Sequence, residues 1–182
     1  MIAIKIAPFN RYQTLDVIRA VCEAGREDDI SLYTGNDDNI VVDLLTEFKF
    51  STSKGTRSAR IKGGLLGHWA VWTRKAVALL DEIHTSVKRG TAIDSKWLTV
   101  ASQITDCNSA FFDAKNNFAG CICGIHEVLR RQGIFEGTWC INTKEQLSPG
   151  QAQEIDRVYR SYPDLNDDDF VYANIADWLN DQ

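Results

Sequence analysis

The chain has 182 residues, 44% apolar and 25% charged, with a formal net charge of −5, the balance of a globular domain. The acidic balance argues against a nucleic-acid partner, which would call for a basic face, and no apolar run reaches the roughly 18 residues a membrane span requires. The N-terminus has no basic segment followed by an apolar stretch and cleavage site, and the five cysteines are odd in number, so reduced thiols in the cytoplasm are expected.

The first element is a strand, Ile2-Ala3-Ile4-Lys5-Ile6-Ala7, ended by Pro8. Short, β-branched and nearly continuous in apolar character, it has the pattern of a strand in a covered parallel sheet. Asn10 with Gln13 resembles a capping box, and Leu15, Ile18 and Cys22 repeat at helical spacing up to Gly25. Ile30–Thr34 predicts a second strand, closed by Gly35-Asn36-Asp37-Asp38, and a helix from Asn39 to about Phe48 follows through Ile40, Val41, Leu44 and Leu45. Residues 51–58 are polar and predict a loop. A third strand falls within Ala59–Gly67, followed by a long helix with the stripe Trp72, Ala76, Leu79, Leu80, Ile83 and Val87.

Only helical patterns follow. Trp97, Ala101, Ile104 and Phe111 share one face, and Phe118, Cys121, Ile122, Ile125 and Leu129 another. Ser148-Pro149 predicts a helix start, with serine as N-cap, continuing through Ile155, Val158, Tyr159 and Tyr162. A last helix is predicted around Tyr172, Ile175, Trp178 and Leu179. Three strand–helix repeats are the rhythm of parallel β/α architecture. Residues 1–90 therefore predict three βα units of a partial barrel, and residues 91–182 a helical extension packing on it within one structural domain. Three strands cannot close a barrel, which takes about 250 residues. The expectation is that an upstream segment, a second copy or another chain completes it.

Side chains alternate across a strand, so Ile2, Ile4 and Ile6 share one face and Ala3, Lys5 and Ala7 the other. In a barrel the aliphatic face suits the surrounding helices, which turns Lys5 inward between two small residues. Burial disfavours an ammonium, and the neutral amine is the nucleophile that attacks a carbonyl to form an imine. The alternative is a lysine that snorkels to solvent at the strand end.

Ile2-Ala3-Ile4-Lys5 resembles the lysine strand of the dihydrodipicolinate synthase and N-acetylneuraminate lyase family of class I aldolases. Gly35-Asn36-Asp37-Asp38 is similar to the family's glycine–aspartate turn, Gly63-Gly64-Leu65-Leu66-Gly67 to its glycine-rich last strand, and Leu147-Ser148-Pro149 to the opening of its final helix. Lys5 to Tyr12, taken with Gly63 to Trp69, resembles an uncharacterised bacterial branch of that family. The resemblance implies an eight-stranded TIM barrel, (β/α)8, of which this chain holds strands six to eight and the C-terminal helices. It implies Lys5 as the Schiff-base residue, a 2-oxo acid or keto sugar acid as substrate, and no metal or organic cofactor. The family's tyrosine–threonine proton relay and its carboxylate-binding segment belong to earlier strands and have no counterpart here.

Active sites of such barrels lie at the C-terminal ends of the strands, which selects Asn10 and Arg11, then Asn36, Asp37 and Asp38, then His68. Asn36 and Asp37 suit substrate hydroxyls or a turn with a helix cap. Arg11 suits a substrate carboxylate or a surface ion pair. His68 suits acid–base work near neutrality, or a ring bonded to backbone. His84 is expected to be an exposed helix residue. Cys121-Ile-Cys123 lacks zinc-finger spacing and is expected to be packed thiol. His126-Glu127 lacks the H-E-x-x-H pattern, and the glycines match neither nucleotide motif. Three functions follow as expectations: an imine-forming carbon–carbon lyase or synthase, a non-catalytic partial barrel that needs oligomerisation or a complementing N-terminal segment, and a metal-dependent hydrolase using His68 with Asp37 or Asp38.

Overall fold

A computed structural model describes residues 1–180. The fold is mixed α/β, and the chain divides into two compact units: residues 1–66 with 80–102, and residues 67–79 with 103–182.

In the first unit, β1 (Ala3–Ile6) leads into α1 (Arg11–Glu23). The Asn10 side chain caps α1 by accepting from the Tyr12 and Gln13 amides, 3.0 and 3.4 Å away. Gly25, at φ +67°, lies just past its end, in the left-handed conformation that glycine adopts without cost. Next come β2 (Ser31–Thr34), a single 3₁₀ turn (Asp37–Asn39) and α2 (Ile40–Leu45). Then follow β3 (Phe48–Thr52), β4 (Gly55–Ala59) and β5 (Ile61–Gly64).

The three predicted β/α strands pair in parallel, in the order β1-β2-β5. Lys5 is level with Tyr33, and Tyr33 with Gly63. One sheet face carries the buried residues Ile6, Leu32 and Ile61. Together with Ile18, Val21 and Cys22 of α1 and Ile40, Val41 and Leu44 of α2, they make up the buried apolar set around this sheet. The opposite face carries Ala3, Lys5 and Ala7, all exposed.

Two expectations for this unit are corrected. The helix after β2 stops at Leu45, because Thr46 turns extended and folds its hydroxyl back onto the Val42 carbonyl at 2.6 Å. Residues 51–58 are not a loop but most of an antiparallel hairpin, β3 with β4, in the register Phe48↔Ala59 to Thr52↔Gly55. Phe48 and Ala59 bury one side of this ribbon while Lys49, Ser51 and Ser58 stay exposed, the period-2 signature of a half-covered strand. Gly55 closes the turn at φ +98°, and α1 packs against the hairpin. The Arg19 guanidinium stands 5.3 Å from the centre of the Phe50 ring, and Arg57 pairs with Glu27 at 2.8 Å.

α3 (Thr73–Arg89) and α4 (Lys96–Phe111) are shared between the units. The second unit adds α5 (Cys121–Arg131), α6 (Gln151–Ser161) and α7 (Asp168–Asn180). Its core gathers Val71, Trp72, Cys107, Phe111, Val128, Ile155 and Val158. The Trp72 ring meets Phe111 and Tyr159 edge-on, at 4.8 and 5.0 Å between centroids, a favourable aromatic arrangement.

α5 departs from its predicted face. Its buried side is Cys123, Gly124, Glu127 and Val128, whereas Phe118 and Ile122 are exposed. Gly124 explains the rotation: a Cβ there would collide with the Phe111 carbonyl, so only a bare backbone lets α5 approach the end of α4. Glu127 tolerates burial because Arg130 and Arg131 bond its two carboxylate oxygens at 2.7–2.9 Å, which holds its carboxyl below the ordinary range. Gly124→Ala is expected to cost about 2 kcal/mol or more in urea unfolding, since the overpacking outweighs the helix propensity gained.

The helix predicted to start at Ser148-Pro149 begins at Gln151, with Gly150 as its N-cap. Ser148 lies two residues before that cap, and its hydroxyl donates to Asp113 at 2.5 Å. Gln151 supplies the closure instead, accepting from the Ser148 amide at 3.1 Å and donating to the Gly120 carbonyl at 3.0 Å. In α7 the predicted stripe is mostly outward: Tyr172, Trp178 and Leu179 are exposed and Val171 is the buried contact. Among the described residues no helix is long and apolar enough to cross a membrane.

Candidate functional site

The C-terminal ends of β1 and β2 organise a buried polar cluster. Thr34, the last residue of β2, points to the covered face and donates its hydroxyl to Asp43 at 3.3 Å. Asn39 donates to the other Asp43 oxygen at 3.0 Å, and Arg11 closes an ion pair with that same oxygen at 2.5 Å. The Asp43 side chain is fully buried, and burial, outweighing Arg11, pushes its carboxyl above the ordinary range. Of the two uses expected of Arg11, the structure holds an internal ion pair, with the arginine side chain 40% exposed.

Asn36 joins the same cluster. Its amide donates to the Thr34 hydroxyl at 3.0 Å and its Nδ2 to Thr14 at 3.4 Å, while its buried Oδ1 has no hydrogen-bond partner among the described residues. Asn36 thus builds the turn from within. Asp37 and Asp38 follow it at the rim, the first half-buried and the second exposed. Burial and the neighbouring Asp38 push the Asp37 carboxyl up to about 6. Asn10, at the head of α1, is exposed and its Oδ1 is engaged in capping.

The raised Asp37 value carries a stability consequence. The folded state holds a proton that the unfolded state releases between about pH 4 and pH 6, so folding stability falls as pH rises through that window. Asp37→Asn is expected to be more stable than the native chain by about 1 kcal/mol at pH 7, after allowing for the half-exposed position, and equal to it below pH 4. Thermal unfolding at pH 3.5 and pH 7 reads the difference.

Lys5 stands on the opposite face, exposed, level with Tyr33. The expectation that Lys5 is buried is corrected: the residue is exposed. Its predicted direction, away from Ile4 and Ile6, is what the sheet shows. Space around it is kept by small residues. A Cβ on Gly35 would meet Ala7 at 2.6 Å and the Lys5 Cε at 2.9 Å, and one on Gly63 would meet the Tyr33 ring at 3.0 Å. Tyr33 was not singled out by the sequence, although period-2 alternation from Ser31 places it on the lysine face. Thr14, Thr34 and Asp43 were also missed, because isolated polar residues in apolar runs announce no partner.

His68 belongs to the second unit. It is buried, its Nδ1 lies 3.1 Å from Asn108 Oδ1, and burial, opposed by that bond, pushes its pKa below the ordinary histidine value. Its Nε2 has no hydrogen-bond partner among the described residues. The bonding partner is therefore a side-chain amide rather than backbone. His84 is half-buried rather than exposed, with Nε2 donating to the Lys62 carbonyl at 2.9 Å. Among the described residues no group of three or more His, Cys, Asp or Glu side chains could hold a metal ion. Compared with known proteins, the sequence matches no family model and has no significant match among curated proteins.

Proposed function

We propose that this chain is the C-terminal part of a dihydrodipicolinate synthase-like (β/α)8 barrel, and that Lys5 forms an imine with a 2-oxo acid or keto sugar acid. The observation that carries the reading is the position of Lys5: on the face of a parallel sheet turned away from the covered side, level with Tyr33 and bordered by Ala7, Gly35 and Gly63. The Lys5 amine attacks the ketone carbon of the substrate, and water leaves to give the imine. The protonated imine then draws electrons from the adjacent carbon as a proton or an aldehyde fragment departs. In this reading the Tyr33 hydroxyl bonds the departing hydroxyl, a role supported by its register with Lys5. Asp37 and Asp38, at the C-terminal end of β2, serve the substrate hydroxyls, while Arg11 and Asn36 hold that end in shape.

A second reading rests on the edge of the same sheet. β1 is an edge strand, and Ile2, Phe9 and Tyr12 around it are all more than half exposed. Exposed apolar side chains beside an unpaired strand edge favour a partner, a second copy or a complementing N-terminal barrel segment, without which the chain is not catalytic. Light scattering at micromolar concentration is expected to show self-association, and a clean monomer contradicts this second reading. The hydrolase alternative finds no ligand set among the described residues.

Imine formation labilises the hydrogens next to the ketone. Pyruvate held with the protein in deuterated buffer is expected to lose its methyl proton signal faster than with Lys5→Ala protein. Equal rates for the two proteins count against the aldolase reading.

A further inference from the structure

The second unit carries a pair of thiols that no catalytic role uses. Cys123 is buried in α5, and Cys140 lies half-buried in the irregular segment between α5 and α6. Their sulfurs are 3.4 Å apart although the residues are separated by 17 positions. A disulfide bond needs about 2.05 Å, so the sulfurs have to close by little more than about 1 Å.

His126 fixes the local chemistry. Its Nδ1 lies 3.1 Å from the Trp139 carbonyl and 3.9 Å from Cys140 Sγ. A carbonyl only accepts, so Nδ1 carries the hydrogen and presents a donor edge next to the Cys140 sulfur. Cys123 is the opposite case: burial, then the bond to Cys140, pushes its thiol up to about 12. The two sulfurs are therefore unequal, one reachable and next to a donor, the other enclosed and protonated.

We propose that Cys123 and Cys140 form a reversible dithiol–disulfide site, with Cys140 as the attacking thiol and a low-molecular-weight disulfide of the glutathione type as its reactant. The Cys140 thiolate attacks one sulfur of the small disulfide, a mixed disulfide forms, and one small thiolate leaves. Cys123 gives up its proton to solvent and attacks the Cys140 sulfur, expelling the second thiolate. The protein pair loses two protons and two electrons, and the small disulfide, taking them up, becomes two thiols. The bond ties the segment bearing exposed Trp139 and Ile141 to α5. Cys22 and Cys107 are buried, and burial pushes the Cys107 thiol up to about 12, so neither competes.

The test is oxidation of the reduced chain with oxidised glutathione, followed by alkylation, digestion without reduction and mass spectrometry. The expected product joins the peptides of Cys123 and Cys140, leaving three alkylated cysteines of the original five. Cys121→Ser is expected to keep that link. Cys123→Ser, and Cys123→Ala as a second probe of the buried position, are expected to stop at glutathione attached to Cys140. A link to Cys121, an unmodified Cys140 in the native chain, or no rise in the Cys140 adduct in either Cys123 variant overturns the proposal.

Discussion

Arg11→Ala is expected to destabilise the protein by about 3 kcal/mol, the low end of the range for removing one partner of a buried ion pair. The reason is Asp43, whose carboxylate is fully buried and keeps only the neutral donors Thr34 and Asn39 once the arginine is gone. Arginine itself is partly exposed, so the loss lies in the stranded carboxylate rather than in packing. Protonation offers the variant a way out. Asp43 already sits above the ordinary carboxyl range, and without Arg11 it rises further. The penalty is therefore largest above that raised value and shrinks as pH falls through it. Urea unfolding at pH 8 and pH 5 is expected to show a larger difference from native protein at pH 8. An equal deficit at both values would mean that the ion pair is not what stabilises the cluster.

Lys5→Ala is expected to behave in the opposite way. The side chain is exposed, so stability should change by no more than about 0.5 kcal/mol. On the proposed imine chemistry, turnover should fall by at least ~10³-fold, because the variant lacks the attacking amine. The pair of variants separates two kinds of residue on one sheet: Arg11 supports the shape, and Lys5 supplies the amine of the proposed imine. A Lys5 variant that unfolds, or that keeps its activity, contradicts that division.

The strand alternation and the Asn10 cap were legible in the sequence because each depends on neighbours a few residues apart, and the parallel pairing because strands that alternate with helices pair that way. The hairpin Phe48–Ala59 was hidden by composition: its exposed side is Ser, Thr and Lys, and Phe48 looked like the last apolar residue of a helix. The face of α5 was misplaced because one glycine, Gly124, decides it through a carbonyl 13 residues earlier in the chain, at Phe111. The start of α6 lies beyond Ser148, whose hydroxyl instead bonds Asp113, 35 residues away. Such pairings depend on where the chain returns in space, which local periodicity does not encode. The same limit applies to the site. Lys5 stood out as a charge in an apolar strand, whereas Tyr33 acquires meaning only from register with it.

Borohydride reduction in the presence of pyruvate tests the central claim most directly, because it converts a transient imine into a permanent mass increase on one side chain. The account predicts that increase on the peptide containing Lys5, dependent on pyruvate and absent from Lys5→Ala. A label on other lysines only, or none in an assembly that turns substrate over, would contradict it.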